Sequence, residues 1–73
     1  MYILMTYDVA AKRTEIFRKI LTRYLSHQQY SVFAGDLPES EHKRLRAELS
    51  QVMVPEDRLM EITAANRHNV RAC

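Results

Sequence analysis

The chain has 73 residues, a net charge of +2 and one cysteine, Cys73, at its last position. A single cysteine excludes an intrachain disulfide framework. So short a chain forms one domain at most, predicted here to span residues 1–73. Folding buries only about 60% of the surface of a chain of this size, so we expect association with a second copy to complete a marginal core.

The apolar run from Tyr2 to Tyr7 is not a membrane segment. It is far shorter than the roughly 20 apolar residues that span a bilayer. No basic residues precede it, as they do in a signal peptide. We therefore expect a cytoplasmic protein that makes no membrane contact.

The same run begins a predicted first strand, Tyr2 to Val9, because aromatic and apolar residues fill a segment too short for a helix. Alternation along a strand places Ile3, Met5 and Tyr7 on one face and Tyr2, Leu4 and Thr6 on the other. Because both faces are largely apolar, each needs a cover. We expect helices to cover one face and a second protomer to cover the other.

A basic amphipathic helix is predicted from Lys12 to Ser26, where apolar residues recur at helical spacing. The next segment, Gln28 to Leu37, favours extended structure, as one bent strand or two short ones. Gly35 ahead of Asp36 suggests a bulge or a tight bend there.

A second helix is predicted from Pro38, which suits a first helical turn because its missing N–H is not needed there. Its expected buried stripe consists of Leu45, Leu49, Val52 and Met53. Pro55 ends this helix, Leu59 to Ala64 predicts another strand, and Val70 marks a further candidate. This order predicts an α+β fold, a βαββαβ split sandwich with two helices on one face of an antiparallel sheet.

Asp8 is the first candidate functional residue, because it is a carboxylate at the end of a nearly uncharged apolar strand. Two interpretations remain open at this point. Asp8 is either an ordinary loop or cap aspartate or one ligand of a magnesium ion, which usually takes one or two carboxylates and completes its shell with water and phosphate. Dimer symmetry would bring a second Asp8 close.

The first helix concentrates the positive charge of the chain. From Lys12 to Arg23 five basic residues stand against one acidic residue, a local charge of +4, so the remainder carries −2. Candidate phosphate contacts are Lys12, Arg13, Arg18 and Lys19, with Arg67 and Arg71 as extensions. The alternative is an ordinary solvated helix surface.

The remaining polar and aromatic residues point to no further site. His27, His42 and His68 share no metal-binding spacing. The aromatic residues Tyr24, Tyr30 and Phe33 lie within apolar patterns. We interpret them as core residues rather than as platforms for stacked bases.

Two motifs carry a resemblance to a known family. Tyr7-Asp8-Val9 is followed shortly by Lys12-Arg13, and the nine-residue segment from Gln29 to Leu37 reads QYSVFAGDL. Together they resemble the family of CRISPR-associated protein two, over a stretch from about Tyr2 to Thr63.

The resemblance implies a ferredoxin-like fold and a symmetric homodimer that meets through its sheet faces. It also implies a partner, the CRISPR integrase, and a structural role in antiviral defence, holding double-stranded DNA during spacer acquisition. The alternative that it implies is a magnesium-dependent endonuclease acting on RNA or DNA. In either case the family assigns Mg²⁺ to the residue matching Asp8, which would be catalytic only in the nuclease. A final strand usual in the family is expected to be missing, since the chain stops at Cys73.

Overall fold

Two helices cover one face of a four-stranded antiparallel sheet in the computed structural model, which describes residues 1–65. In chain order the elements are β1 (Tyr2–Asp8), a 3-10 turn (Ala11–Arg13), α1 (Thr14–Thr22), β2 (Ser26–Gln29), β3 (Val32–Asp36), α2 (Glu39–Val52) and β4 (Arg58–Ala64). The strands lie in the order β2-β3-β1-β4, so β1 is central and its two neighbours run antiparallel to it. The predicted α+β βαββαβ fold is confirmed.

The core lies between the helices and one face of the sheet, called here the inner face. Strand β1 contributes Ile3 and Met5, and β3 contributes Phe33, each at most 1% exposed. The helices supply the other fully buried large side chains, which are Phe17, Leu21, Leu45 and Leu49. The residues predicted to form one apolar face of the first strand are therefore those that the helices cover.

Helix α1 ends four residues earlier than predicted. The amide groups of Arg23, Tyr24 and Leu25 still bond to carbonyls of Ile20 and Leu21, but Ser26 already belongs to β2. Leu25 is buried in this closing turn. Leu25 therefore keeps the helical spacing of apolar residues in the sequence, although it lies beyond the end of the helix.

The segment predicted as one bent strand or two short ones forms two, β2 and β3, joined by a turn at Tyr30 and Ser31. The bend suggested at Gly35 is wrong, because Gly35 lies inside β3 opposite Ile3, and the pairing irregularity falls in β2. A Cβ atom at Gly35 would stand 3.2 Å from Leu25 Cδ2. The glycine therefore allows the close approach of a neighbouring side chain rather than a turn.

Helix α2 begins one residue after Pro38, with Glu39 and Glu41 in its first turn. Leu45 and Leu49 are buried as predicted, while Val52 and Met53 pack against the core and stay partly exposed. Strand β4 spans one residue more than the predicted strand. The further candidate at Val70 lies outside the described residues, as do Arg67 and Arg71. In the described part of the chain, neither helix has the length and apolar character needed to cross a bilayer.

Candidate functional site

The sheet face turned away from the helices, called here the outer face, is apolar, and no element within residues 1–65 covers it. Cross-strand pairs on this face join Leu4 to Ile62 and Thr6 to Met60. Met60 is 60% and Ile62 45% exposed, whereas Ile3 and Met5 on the inner face of β1 are at most 1% exposed. The second apolar face expected from the first strand is therefore present, and its large side chains on β4 are exposed.

Asp8 stands at one end of this outer face. It is the last residue of β1, it is exposed, and Arg58 is its partner in the register with β4. Alternation along β1 places Asp8 on the same side as Leu4 and Thr6. No salt bridge within residues 1–65 involves Asp8.

A second carboxylate near this end of the sheet, that of Asp57, forms a salt bridge with Arg13. The Arg13 guanidinium donates to both Asp57 oxygens, at 3.0 Å from Nε to Oδ1 and 2.7 Å from Nη2 to Oδ2. Nη2 also donates to the carbonyl of Val52, and the Val54 N–H donates to Asp57 Oδ2. The hydrogen bond from Arg13 lowers the pKa of Asp57, although burial opposes that shift. The pair ties the start of α1 to the loop between α2 and β4.

This ion pair changes the status of Arg13 as a candidate phosphate contact. Its side chain is 22% exposed, and its guanidinium lies over the ring of Phe17 at 5.9 Å while it holds Asp57. Contact with a phosphate would compete with these internal bonds. Arg13 is placed to position the basic helix rather than to reach outward.

The other basic residues of α1 and of the two segments that flank it differ in whether they take part in salt bridges. Arg18 pairs with Glu15 at 2.8 Å, and this bond lowers the pKa of Glu15. Arg23 pairs with Glu48 of α2. Lys12 and Lys19 are exposed and take part in no salt bridge within residues 1–65. Asp57 and Glu48 balance two of the four net positive charges of this segment, and the two that remain are those of Lys12 and Lys19.

The residues near Asp8 fit a magnesium ion only as a partial ligand set. Among residues 1–65 no group of three or more His, Cys, Asp or Glu side chains converges on one point. The buried His42 bonds to Glu61 at 2.8 Å, so neither group belongs to the Asp8 end. Mg²⁺ keeps several waters and is usually bound through one or two carboxylates. Asp8, an exposed carboxylate, fits such an ion as one oxygen ligand.

Tyr30 is a candidate functional residue that the sequence pattern assigned to the core rather than to a platform for stacked bases. The prediction that it belongs to the core is wrong, because its side chain is 88% exposed in the turn between β2 and β3. Phe33 is fully buried as predicted, and Tyr24 is partly buried with its hydroxyl bonded to Glu48. The polar run Ser26–Gln29 was the available signal, since four exposed residues in a row mark an edge strand and not a core segment.

The fold places the protein in a class of small ferredoxin-like α+β proteins that includes solved Cas2 structures. It aligns with a crystal structure of Streptococcus pyogenes Cas2 at a TM-score of 0.83 and 23% identity, covering 100% of this chain and 99% of that one. A second Cas2 crystal structure gives a TM-score of 0.80 and 24% identity, covering 100% and 97% of the two chains. At these identities the likeness establishes the fold alone.

The sequence itself establishes the family. The family model described as CRISPR associated protein Cas2 matches residues 1–71, and the chain belongs to this family. A relative from Haloferax volcanii, named CRISPR-associated endoribonuclease Cas2, is 40% identical over 93% of this chain and 79% of its own length. A similarly named relative from Thermodesulfovibrio yellowstonii is 37% identical over 96% of this chain and 81% of its own length.

Proposed function

We propose that the protein is a dimeric DNA-binding structural subunit of the CRISPR adaptation complex. In this role it acts in the cytoplasm, bridges integrase subunits and holds duplex prespacer DNA during spacer acquisition. Membership of the Cas2 family supports the setting. The observation that carries the proposal is the open apolar outer face, on which Met60 and Ile62 are 60% and 45% exposed.

The outer face supports a symmetric homodimer. Large apolar side chains in water gain free energy when they are buried, at about 25 cal/mol per Å². A small domain of this kind commonly obtains its missing stability from association. Pairing two outer faces would bury Leu4, Met60 and Ile62 of each protomer and bring the two Asp8 ends into one assembly.

The basic surface of α1 supports contact with the DNA backbone. Lys19 lies on α1 and Lys12 lies in the 3-10 turn that leads into it, and both side chains are exposed. Arg18 is exposed beside them and would need to leave Glu15 to reach a third phosphate. Phosphate contacts of this kind give affinity without sequence readout.

Duplex binding measured over a range of salt concentrations tests the proposal. Replacing Lys12 and Lys19 together with Ala should weaken binding to unrelated duplexes alike, because both lysines would contact phosphates. The slope of log affinity against log salt should become shallower by about 0.9 for each phosphate that is no longer neutralised. The matched control replaces Lys43 and Arg44, exposed on α2, with Ala. An equal weakening in the control, or weaker binding to one duplex sequence only, would contradict the proposed surface.

A magnesium-dependent endonuclease acting on RNA or DNA is the second candidate function. The names of the Haloferax volcanii and Thermodesulfovibrio yellowstonii relatives favour it, as does the exposure of Asp8 at the strand end. In this function Asp8 of each protomer would hold Mg²⁺, which when bound would polarise a phosphoryl oxygen and lower the pKa of water. Arg58, adjacent to Asp8 in the sheet register, would face the negative charge of the substrate.

The substitution Asp8→Asn separates the two functions. It removes the charge of an exposed side chain, so fold and duplex affinity should be preserved. We expect spacer integration by the reconstituted complex to survive it, because a structural subunit does not need the metal ligand. Glu56→Gln, a neighbouring exposed acid, is the control. Loss of integration in Asp8→Asn alone, with assembly and DNA binding intact, would favour the nuclease.

A further inference from the structure

The turn between β2 and β3 presents an aromatic ring to solvent from a backbone conformation that tyrosine rarely adopts. Tyr30 has φ 48°, the only positive value of a non-glycine residue within residues 1–65. Left-handed backbone is unfavourable for residues with a Cβ, and glycine or asparagine usually takes such positions. Residues held in this way are concentrated at functional positions. Neither the turn nor the core explains why a tyrosine stands here.

Two contacts fix the turn and thereby the position of the ring. The Nε2 atom of His27 hydrogen-bonds to the Tyr30 carbonyl, and the His27 ring packs on Phe33 with centroids 4.7 Å apart. The hydroxyl groups of Ser31 and Thr6 share a hydrogen bond of 3.0 Å. The turn is therefore attached to a core residue and to the central strand. An exposed ring on so constrained a backbone loses little further freedom when a ligand stacks on it.

The sheet register places this turn at the same end of the sheet as Asp8. Thr6 pairs with Val32, so the turn that precedes Val32 is level with the last residues of β1. On the other side of β1, Arg58 pairs with Asp8. Lys12 follows Asp8 by four residues and is exposed. An aromatic face and two cationic side chains thus share one end of the molecule.

We propose that Tyr30 is a stacking platform for an unpaired nucleobase, whose backbone phosphate lies toward Lys12 and Arg58. The inference rests on the proposed nucleic-acid function and gives it a substrate class, a strand with at least one unpaired nucleotide. Stacking on an aromatic ring beside cationic side chains is the usual way in which single strands are bound. The neighbouring residues Ser26–Gln29 are polar and exposed, so an apolar protein surface would find no patch around Tyr30.

Tyrosine fluorescence measures the contact directly, because the chain has four tyrosines and no tryptophan. The probes are a blunt DNA duplex, the same duplex with an unpaired single-stranded extension, and a single-stranded RNA. Each is titrated against the unaltered protein and the variants Tyr30→Ala, Tyr30→Leu and Tyr30→Phe. Because the ring is exposed, all three variants should keep the wild-type circular dichroism spectrum.

We expect Tyr30→Ala and Tyr30→Leu to lose about tenfold in affinity for probes with unpaired bases, within the range that one base–aromatic stack provides. Affinity for the blunt duplex should change less than twofold, in line with the absence of an unpaired base. Tyr30→Phe should bind like the unaltered protein, while the quenching of emission by unpaired probes decreases. A larger loss with the extended duplex identifies DNA as the source of the base, and a larger loss with the single strand identifies RNA.

Other outcomes separate the failure of this inference from the failure of the proposed function. If the unaltered protein binds all three probes and Tyr30→Ala binds them equally well, stacking is wrong and the DNA-binding function stands. Equal losses for blunt and extended duplexes would also overturn stacking, because they indicate an interaction with the backbone. If the unaltered protein binds none of the probes, both the proposed function and the inference fail.

Discussion

The two faces of the central sheet are built from similar residues but have opposite surroundings. On the inner face Ile3, Met5 and Phe33 are at most 1% exposed under the helices. On the outer face Met60 and Ile62, on a strand that pairs with the same β1, are 60% and 45% exposed. The apolar pattern of a strand thus shows that both of its faces need to be covered. Which of the two faces the helices cover depends on the rest of the chain.

This difference separates folding from association. The inner face is filled by side chains from both helices, so changes there should act on the free energy of unfolding of each protomer. No side chains within residues 1–65 fill the outer face in this way, so changes there should act mainly on the proposed dimer. Substitutions of the same kind on the two faces therefore make a direct comparison.

The largest effect is expected from Phe33→Ala on the inner face. The ring is fully buried and packs with Tyr7 at a centroid distance of 6.1 Å. Its loss should lower the free energy of unfolding by about 3–5 kcal/mol, a large share of the roughly 5–15 kcal/mol typical of a domain. Urea denaturation followed by circular dichroism measures it. Met60→Ala on the outer face is the control, and similar losses from both would mean that the two faces do not differ as described.

The next effect sharpens the role of the outer face. Ile62→Lys places a charge in the proposed dimer interface, where burying it without a partner is costly. We expect sedimentation at micromolar concentration to show a dimer for the unaltered protein and mainly monomer for this variant. Ile16→Lys is a matched control, since Ile16 is 38% exposed on α1 and lies away from the outer face. Dimers that resist Ile62→Lys, or dissociate equally with Ile16→Lys, would place the interface elsewhere.

The sequence predicted the parts of the molecule that depend on local pattern. The first strand, the buried leucines of α2 and the two-faced character of β1 follow from periodicity and were confirmed. The end of α1 was misplaced because Leu25 extends the apolar period into a turn. Tyr30 was assigned to the core because it was grouped with the apolar residues that follow it, Val32 and Phe33, although its immediate neighbours Gln29 and Ser31 are polar. The sign of a backbone φ angle does not follow from residue spacing.

The sequence did not show which basic residues of the first helix are paired, because their partners lie far away along the chain. Arg13 and Asp57 are 44 positions apart, and only the folded chain brings them together. This pair engages the Arg13 guanidinium, whereas Lys12, its neighbour in sequence, takes part in no salt bridge within residues 1–65. The net charge counted for the first helix does not include the acidic partners of Arg13 and Arg23. These partners, Asp57 and Glu48, lie later in the chain.

A smaller effect is expected from titration of the Arg13–Asp57 pair. The hydrogen bond from Arg13 lowers the pKa of Asp57, so the folded state holds this proton less tightly than the unfolded chain. The resulting stabilisation is present above the unfolded pKa of about 3.9 and is lost as the pH falls through the lower folded value. The urea midpoint should therefore fall on acidification below about pH 4.

Asp57→Asn tests this assignment against an exposed pair. At neutral pH the variant should have a lower urea midpoint than the unaltered protein, because the Arg13 guanidinium loses its charged partner while staying partly buried. Part of the acid dependence should disappear with it. Glu15→Gln is the control, since the Glu15–Arg18 pair is exposed on both sides and contributes little. An unchanged acid dependence in Asp57→Asn would assign it to other carboxylates.

The smallest expected effect concerns the turn that carries Tyr30. Glycine adopts positive φ without the steric cost that a Cβ brings, so Tyr30→Gly relieves roughly 1–2 kcal/mol of unfavourable backbone. Its greater freedom in the unfolded chain offsets roughly 0.5–1 kcal/mol of that gain. We expect a net stabilisation of up to about 1 kcal/mol, measured as a higher urea midpoint. Ser31→Gly, which removes the hydrogen bond to Thr6, should instead lower the midpoint.

A lower midpoint for Tyr30→Gly would mean that the ring stabilises the fold. A more stable variant with weaker affinity for unpaired bases would mean that the tyrosine serves binding at the expense of stability.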